Sequence, residues 1–153
     1  MASSVKWQVA LAGALTATVL TLAAFPNPAF ADVRVTGDLG GEVTSYIRKF
    51  QEIRESGERL VIDGPCLSAC TLFAAFVPPD QVCVTRRAVL GFHGATLYDD
   101  ARHRLVPTRR GTALVMHVYP PEIRNWIARH GGLTQRIIMM RGHDLAALFR
   151  TCQ

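Results

Sequence analysis

DGPCLSACTLF, residues 63–73, connects two apolar segments that differ in character. The segment before it, RLVID (59–63), is short, whereas SACTLFAAF (68–76) is compact and rich in small residues. A buried strand, a turn marked by glycine and proline, and a core helix account for this order. Ser68 therefore lies at the start of the helix, where a nucleophile, a disulfide staple and a buried packing corner are the alternatives.

Strands and helices alternate on both sides of this segment. VRVT (33–36) predicts a strand, and the apolar spacing over residues 42–57 predicts an amphipathic helix that ends at a glycine. VCVT (82–85) and AVLGFH (88–93) predict two further strands. This alternation predicts one α/β domain with a mainly parallel sheet flanked by helices.

The C-terminal part is helical in pattern. Residues 94–110 carry mixed charge without a clear period, and we expect an exposed loop there. Helices are predicted over residues 112–118 and from Pro120, with proline tolerated in the first turn. After Gly131-Gly132, two more helices are predicted from apolar residues at Leu133, Ile137 and Met140, and then at Leu145, Leu148 and Phe149.

The first 31 residues are typical of an export signal. Lys6 precedes an apolar segment over residues 9–25, and Ala29-Phe30-Ala31 has the pattern of a signal-peptidase site. The apolar segment is short for a membrane span, and an uncleaved anchor is the alternative. We expect cleavage after Ala31, which leaves a single domain over residues 32–153 with no stable membrane anchor, in the periplasm or outside the cell.

The charge distribution does not favour nucleic acid as a partner. The chain has 17 Lys and Arg against 12 Asp and Glu, a formal net charge of +5. The positive residues are scattered rather than gathered into one patch, and an exported protein rarely meets nucleic acid. The histidines also lack the spacing of metal ligands, so we expect no metal and no cofactor.

The cysteine count predicts disulfides. All four cysteines follow the predicted cleavage site, and an even number in an exported chain favours pairing, although three pairings are open. A zinc site and thiol redox chemistry by Cys66 or Cys70 are the alternatives. Cys66 follows one predicted strand and Cys83 lies in the next, so our working prediction is the pairing Cys66–Cys83 and Cys70–Cys152.

Ser68 and His93 form a candidate catalytic pair. A serine hydroxyl needs a base to become a nucleophile and N–H donors for the oxyanion. His93 ends a predicted strand, Ser68 follows another, and the carboxyl ends of parallel strands share one edge of a sheet. The alternative is that Ser68 caps the helix by accepting from the Thr71 N–H, and that His93 is a hydrogen-bonded surface residue.

Several of these motifs resemble a known family. Three motifs carry the resemblance: the glycine pair Gly40-Gly41 that opens an amphipathic helix, GPCLSACTLF (64–73) and AVLGFH (88–93). Together they resemble the Clp protease proteolytic subunit and its crotonase-fold relatives, in particular predicted periplasmic ClpP-like proteins. The resemblance covers residues 33–95. It implies a ClpP/crotonase-type fold, a peptide or protein substrate, and a homo-oligomer as one assembly. It also implies Ser68 as nucleophile, His93 as base, and the N–H groups of Gly41 and Ala69 as oxyanion donors.

The chain departs from the family pattern at two places. Asp38-Leu39 stands where the family has serine-proline, and the aspartate that orients the histidine has no clear match. Asp144 lies in the corresponding late region and is our candidate, while Asp99 and Asp100 are nearer to His93. The sequence therefore predicts an exported serine peptidase or, as the alternative, a non-catalytic binding or assembly module.

Overall fold

The computed structural model describes residues 32–153, so the predicted signal peptide lies outside the described residues. No helix in this part of the chain is long and apolar enough to span a membrane. The elements in chain order are β1 (Val33–Val35), α1 (Val43–Ser56), β2 (Leu60–Ile62), β3 (Pro65–Leu67), a 3₁₀ helix (Ser68–Leu72), α2 (Phe73–Phe76), a second 3₁₀ helix (Pro79–Gln81), β4 (Val82–Val84), β5 (Val89–Phe92), β6 (Thr96–Asp99), β7 (Arg104–Pro107), α3 (Arg109–Val118), α4 (Pro121–Arg129), β8 (Ile138–Met140) and α5 (His143–Ala146).

Two three-stranded sheets form the centre of the domain. The first has the order β1–β2–β4 and is parallel throughout. In the second, β5 lies between β3, which runs parallel to it, and β8, which runs antiparallel. Strand β2 is buried along its whole length, as expected for the middle strand of a covered sheet. These pairings confirm the predicted α/β class with a mainly parallel sheet and helices.

Helix α1 matches the prediction over residues 42–57. Phe50 and Ile53 are buried on its inner face, and Gly57 ends it at φ 73°, a left-handed conformation that suits glycine. The Glu42 carboxylate caps its first turn by accepting from the backbone N–H groups and hydroxyls of Ser45 and Thr44. These donors lower the pKa of Glu42 to about 2. Glu42 therefore separates Gly41 from the first residue of α1, Val43.

A buried carboxylate links the two sheets. Asp63 follows β2, and its side chain is only 8% exposed. It accepts from Arg87 and Thr85, which lie between β4 and β5, and from Arg34 of β1. Donation from Arg87, and then from Thr85 and Arg34, holds the pKa of Asp63 well below its usual range. The ion pairs therefore fix the chain where it leaves the first sheet for β3.

The expected loop over residues 94–110 is a β-hairpin. Strands β6 and β7 pair antiparallel, with Leu97 opposite Val106 and Tyr98 opposite Leu105. Leu97, Tyr98 and Leu105 are each about half exposed or more, so the segment is exposed as expected. Local pairing between neighbouring strands, rather than burial, orders it, and this is why no buried apolar pattern marks it in the sequence.

The predicted helix through Leu133 and Met140 is wrong. Gly131 and Gly132 both adopt positive φ after α4 and stop helical structure. The following residues form β8, which pairs with β5 so that Met140 lies opposite Leu90. A free strand position beside the buried β5 therefore outweighs the helical spacing of the apolar residues.

The working disulfide pairing is also wrong. Cys66 lies in β3 and Cys83 in β4, and these strands belong to different sheets. The C-terminal segment runs beside β4, with Thr151 bridged to Val84, and brings the last cysteine to the first sheet. The disulfides that result are Cys66–Cys70 and Cys83–Cys152.

Candidate active site

Of the five residues predicted to act in catalysis, all except Asp144 line one cavity of about 60 Å³. Ser68 and Ala69 begin the 3₁₀ helix Ser68–Leu72, which we call the serine turn. Gly41 precedes α1, and His93 follows β5. The rest of the lining is largely apolar and includes Val43, Leu72, Ala95, Val115 and Tyr119.

Ser68 has a strained backbone. Its φ is 55°, and only one other non-glycine residue within residues 32–153, His103, has a positive φ. A left-handed conformation costs an L-residue roughly 1–2 kcal/mol. Such strain survives where the surroundings enforce it, often at active sites, as in the strand-to-helix turns that present serine nucleophiles. The backbone of Ser68 is therefore typical of a functional position.

Ser68 does not cap the helix. Leu67 occupies the N-cap position without a side-chain hydrogen bond, and it is the Thr71 hydroxyl that donates to the Ser68 carbonyl, at 2.7 Å. Within residues 32–153 the Ser68 hydroxyl makes no hydrogen bond to the protein. It is therefore free to act on a substrate.

A chain of hydroxyl groups anchors the serine turn to the core. Thr71 has one hydroxyl proton and gives it to the Ser68 carbonyl, so the Tyr119 hydroxyl, 2.6 Å away, donates to Thr71. Both side chains are buried, and burial raises the pKa of Tyr119 to about 12. Tyr119 thus stays protonated as the first donor of the chain.

The glycine pair packs directly against the serine turn. Gly40 has φ 85°, and a Cβ built on it would lie 2.6 Å from both the Leu67 carbonyl oxygen and Ser68 Cβ, and 2.9 Å from the Ala69 nitrogen. These distances are too short for any side chain. Glycine is therefore required at position 40 by backbone conformation and by space.

Asp38 holds the glycine pair in place. Its carboxylate accepts from the Gly40 N–H at 2.8 Å and from the Tyr46 hydroxyl at 2.5 Å. Burial and the bond to Asp38 together raise the pKa of Tyr46 to about 12. The Gly40 N–H is thus occupied, whereas the Gly41 N–H has no hydrogen-bond acceptor within residues 32–153.

Two backbone N–H groups can serve as oxyanion donors. Gly41 and Ala69 both line the cavity. Ala69 lies in the first turn of a helix, where the N–H groups have no intrahelical acceptor. Paired N–H donors on the same cavity are what a developing negative charge requires.

His93 is in the tautomer of a base. Its Nδ1 lies 2.7 Å from the Gly94 carbonyl oxygen. A carbonyl only accepts, so Nδ1 carries the proton and Nε2 of the neutral ring is left to accept one. Gly94 is itself held, because its N–H donates to the Thr134 carbonyl at 2.5 Å. Within residues 32–153, no hydrogen bond joins His93 to Ser68 or to a carboxylate.

Asp144 makes no hydrogen bond to His93 within residues 32–153. Its carboxylate accepts from Trp126 Nε1 at 2.9 Å, and this bond, more than any other influence, lowers its pKa. The reason is the antiparallel register of β8, in which Met140 lies opposite Leu90. The chain therefore leaves β8 beside the start of β5, whereas His93 follows the end of β5.

Several residues of the site were missed in the sequence. Asp38 is marked only by its departure from the family pattern, and Tyr119 carries no signal, because its partner Thr71 lies 48 residues away in the chain. Asp99, one of the nearer carboxylates, forms an ion pair within the hairpin turn. The Gly94 carbonyl that holds the ring of His93 is a backbone group, and no motif marks it.

Comparisons with known proteins give a likeness to solved structures and none to protein families or curated proteins. No protein-family model matches the chain, and no curated protein matches it. Among solved structures, the chain is similar to a mutant of ClpP1 from Listeria monocytogenes, with 9% sequence identity and a TM-score of 0.44. The match covers 76% of this chain and 69% of that one. A likeness at this level establishes neither family nor activity, so the functional case rests on the site.

Proposed function

We propose that the chain is a serine hydrolase that cleaves peptide bonds, with Ser68 as the nucleophile and His93 as the general base. One observation carries the proposal: a serine with a strained backbone and a free hydroxyl shares a cavity with a histidine in the tautomer of a base. The motif resemblance to the Clp protease proteolytic subunit supports peptide bonds as the substrate class.

The reaction follows from the atoms present. Ser68 Oγ attacks the carbonyl carbon of the scissile bond, and His93 Nε2 takes the hydroxyl proton. The N–H groups of Gly41 and Ala69 hold the negative oxygen of the tetrahedral intermediate. The C–N bond then breaks, the amine leaves with the proton from His93, and water attacks the acyl-enzyme by the same route in reverse.

The Gly94 carbonyl takes the place usually held by an aspartate. It keeps the proton on Nδ1, and its dipole favours the positive charge that His93 gains during attack. In structures without substrate, catalytic hydrogen bonds are often long and tighten when substrate binds. We therefore expect the hydrogen bond between Ser68 and His93 to form when substrate binds.

The second candidate is a non-catalytic binding or assembly module, for which a homo-oligomer is one form. It is favoured by one observation, the lack of a hydrogen bond from His93 to Ser68 or to a carboxylate within residues 32–153. In such a module the cavity would bind a peptide without cutting it, and the strained backbone of Ser68 would have no catalytic purpose.

We also propose that the chain is exported and processed. The signal-peptidase pattern at Ala29-Phe30-Ala31 supports export, and so do two disulfides, which persist in oxidising compartments. The mature protein would begin at Asp32.

One experiment tests both proposals. The full chain is expressed in bacteria, and the periplasmic fraction is treated with a fluorophosphonate probe, which reacts with activated serines. We expect a labelled protein whose intact mass begins at Asp32 and whose label maps to Ser68. Ser68→Ala should abolish labelling, and His93→Ala should slow it by roughly 10²–10⁴-fold, the usual contribution of a general base.

Matched controls are available on exposed helix positions. Ser56→Ala and His117→Ala remove the same groups at exposed positions that do not line the cavity, and both should label like the wild type. A folded wild type that does not label would overturn the hydrolase and favour the binding module. If His93→Ala labels at the wild-type rate, His93 is not the general base. Retention of residues 1–31 in the membrane fraction would overturn export.

A further inference from the structure

The Cys66–Cys70 disulfide closes a short loop with Ser68 at its centre. Each cysteine is two residues from Ser68, and each is buried, at 0% and 1% exposure. We propose that this disulfide positions the nucleophile: it holds the serine turn in the conformation that presents Ser68, so that opening the disulfide lowers the reactivity of the site. The inference rests on the proposed hydrolase function and adds redox control to it.

The strand side of the loop is fixed by the sheet. Cys66 lies opposite Leu90 in the pairing of β3 with β5. On the other side of β3, the backbone of Asp38 bonds both to the Pro65 carbonyl and to the Leu67 N–H, each at 2.8 Å. The chain therefore arrives at Ser68 as a strand held on both sides.

The disulfide sets how tightly the chain turns after that strand. Fully extended, four residues would span roughly 13–14 Å. The Cα atoms of Cys66 and Cys70 are 5.3 Å apart. A sharp reversal is thus required within three residues, and Ser68 is the residue that makes it, with its left-handed φ of 55°.

Stability alone does not explain a cross-link at this position. The entropy that a disulfide removes from the unfolded chain grows with the loop it closes, so a separation of 4 residues adds far less than the separation of 69 in Cys83–Cys152. The short loop instead restricts the local backbone of the one strained residue in the cavity. On this view Cys66–Cys70 positions Ser68, and Cys83–Cys152 contributes more to the stability of the whole domain.

A dithiol can open the Cys66–Cys70 disulfide by reducing it. Dithiothreitol supplies two electrons and two protons and leaves as its cyclic disulfide, and Cys66 and Cys70 become two thiols. The turn is then free to exchange the left-handed backbone of Ser68 for a commoner one, which moves its hydroxyl away from His93.

The two disulfides provide matched variants. We would compare Cys66→Ala/Cys70→Ala with Cys83→Ala/Cys152→Ala, in saturation kinetics of fluorophosphonate labelling below both melting temperatures. The first variant should lose about 5- to 30-fold in the maximal labelling rate, the population shift that corresponds to the cost of a left-handed residue, with probe affinity unchanged. The second should keep the wild-type labelling rate and show the larger fall in melting temperature.

A reductant titration gives a reversible test and serves if the first variant does not fold. In the Cys83→Ala/Cys152→Ala protein, Cys66–Cys70 is the one disulfide left in the described chain. Dithiothreitol should slow labelling of this protein, and reoxidation with oxidised glutathione should restore the rate. Thiol titration after unfolding would report the fraction opened.

Three results would overturn the inference. The first is wild-type labelling of Cys66→Ala/Cys70→Ala, the second an equal loss of maximal rate in both disulfide variants, and the third labelling that is indifferent to an opened disulfide. If the wild type itself does not label, the proposed hydrolase function fails. The positioning role of the disulfide is then tested separately, by measuring the backbone φ of Ser68 from NMR couplings before and after the disulfide is opened. A positive φ that survives opening would reject it, and loss of that φ would support it.

Discussion

Ser68 adopts a backbone conformation that serine rarely takes, and nothing in local folding requires serine there. Its φ of 55° is a conformation in which glycine is at ease. The protein thus keeps serine at a position where glycine would make the fold more stable. Such an exchange of stability for a reactive group is typical of functional sites.

We predict that Ser68→Gly is more stable than Ser68→Ala. Both variants remove the hydroxyl, but alanine keeps the left-handed strain, so the free energy of unfolding in urea should differ by about 1 kcal/mol in favour of glycine. Neither variant should label. At Ser45, in the first turn of α1, the same comparison should have the opposite sign, because glycine is the poorer helix residue. An alanine variant as stable as the glycine variant at position 68 would mean that Ser68 is not strained.

The site exists because two turns from different elements lie against each other. The glycine pair before α1 meets the serine turn after β3, and the approach leaves no room for a side chain on Gly40. Each turn contributes one residue to the cavity lining, Gly41 from the first turn and Ala69 from the second. The proposed pair of oxyanion donors therefore depends on the contact between the two turns and not on either turn alone.

We predict that Gly40→Ala damages the site far more than Gly57→Ala. Both glycines have positive φ, but a Cβ on Gly57 meets nothing within 4 Å, so only the conformational cost applies there, roughly 1 kcal/mol. At Gly40 the added methyl also collides with backbone, which adds about 1–3 kcal/mol of overpacking and displaces the Ala69 N–H. Urea unfolding and labelling rates would measure both effects. Equal losses in the two variants would show that the turns are not in contact.

The joint between the two sheets makes the stability of the domain depend on pH. Asp63 is ionised and paired with Arg87 and Arg34 in the folded protein, and its pKa is lowered by donation from Arg87 first. The unfolded chain therefore binds a proton on Asp63 at a higher pH than the folded chain does. The stabilisation is complete above the unfolded pKa of about 3.9 and is lost as the pH falls toward the folded value.

We predict that the stability difference between the wild type and Asp63→Asn is constant above about pH 5 and shrinks steadily from about pH 4 to pH 2. Asparagine keeps the shape of the side chain and cannot ionise, so the difference isolates the carboxylate. Urea midpoints across this range would measure it. A difference that stays the same down to pH 2 would contradict the lowered pKa of Asp63.

Much of the site can be predicted from short segments of the sequence. The periodicity over residues 42–57 predicts α1, and the apolar run, turn and small residues around Ser68 predict strand, turn and helix. The alternation of these elements predicts the parallel edge at which Ser68, Gly41 and His93 meet. These features depend on neighbours a few residues apart, so a local pattern contains the information.

The remaining features depend on partners that are far apart in the chain. β8 pairs with β5 in an antiparallel register, the Asp144 carboxylate that follows it bonds to Trp126, and the Gly94 carbonyl is the partner of the His93 ring. Cys66 pairs with Cys70 because β3 and β4 lie in different sheets. Register and sheet membership are set by how whole elements pack, and spacing along the chain does not reveal them, because each such choice minimises the free energy of the complete core.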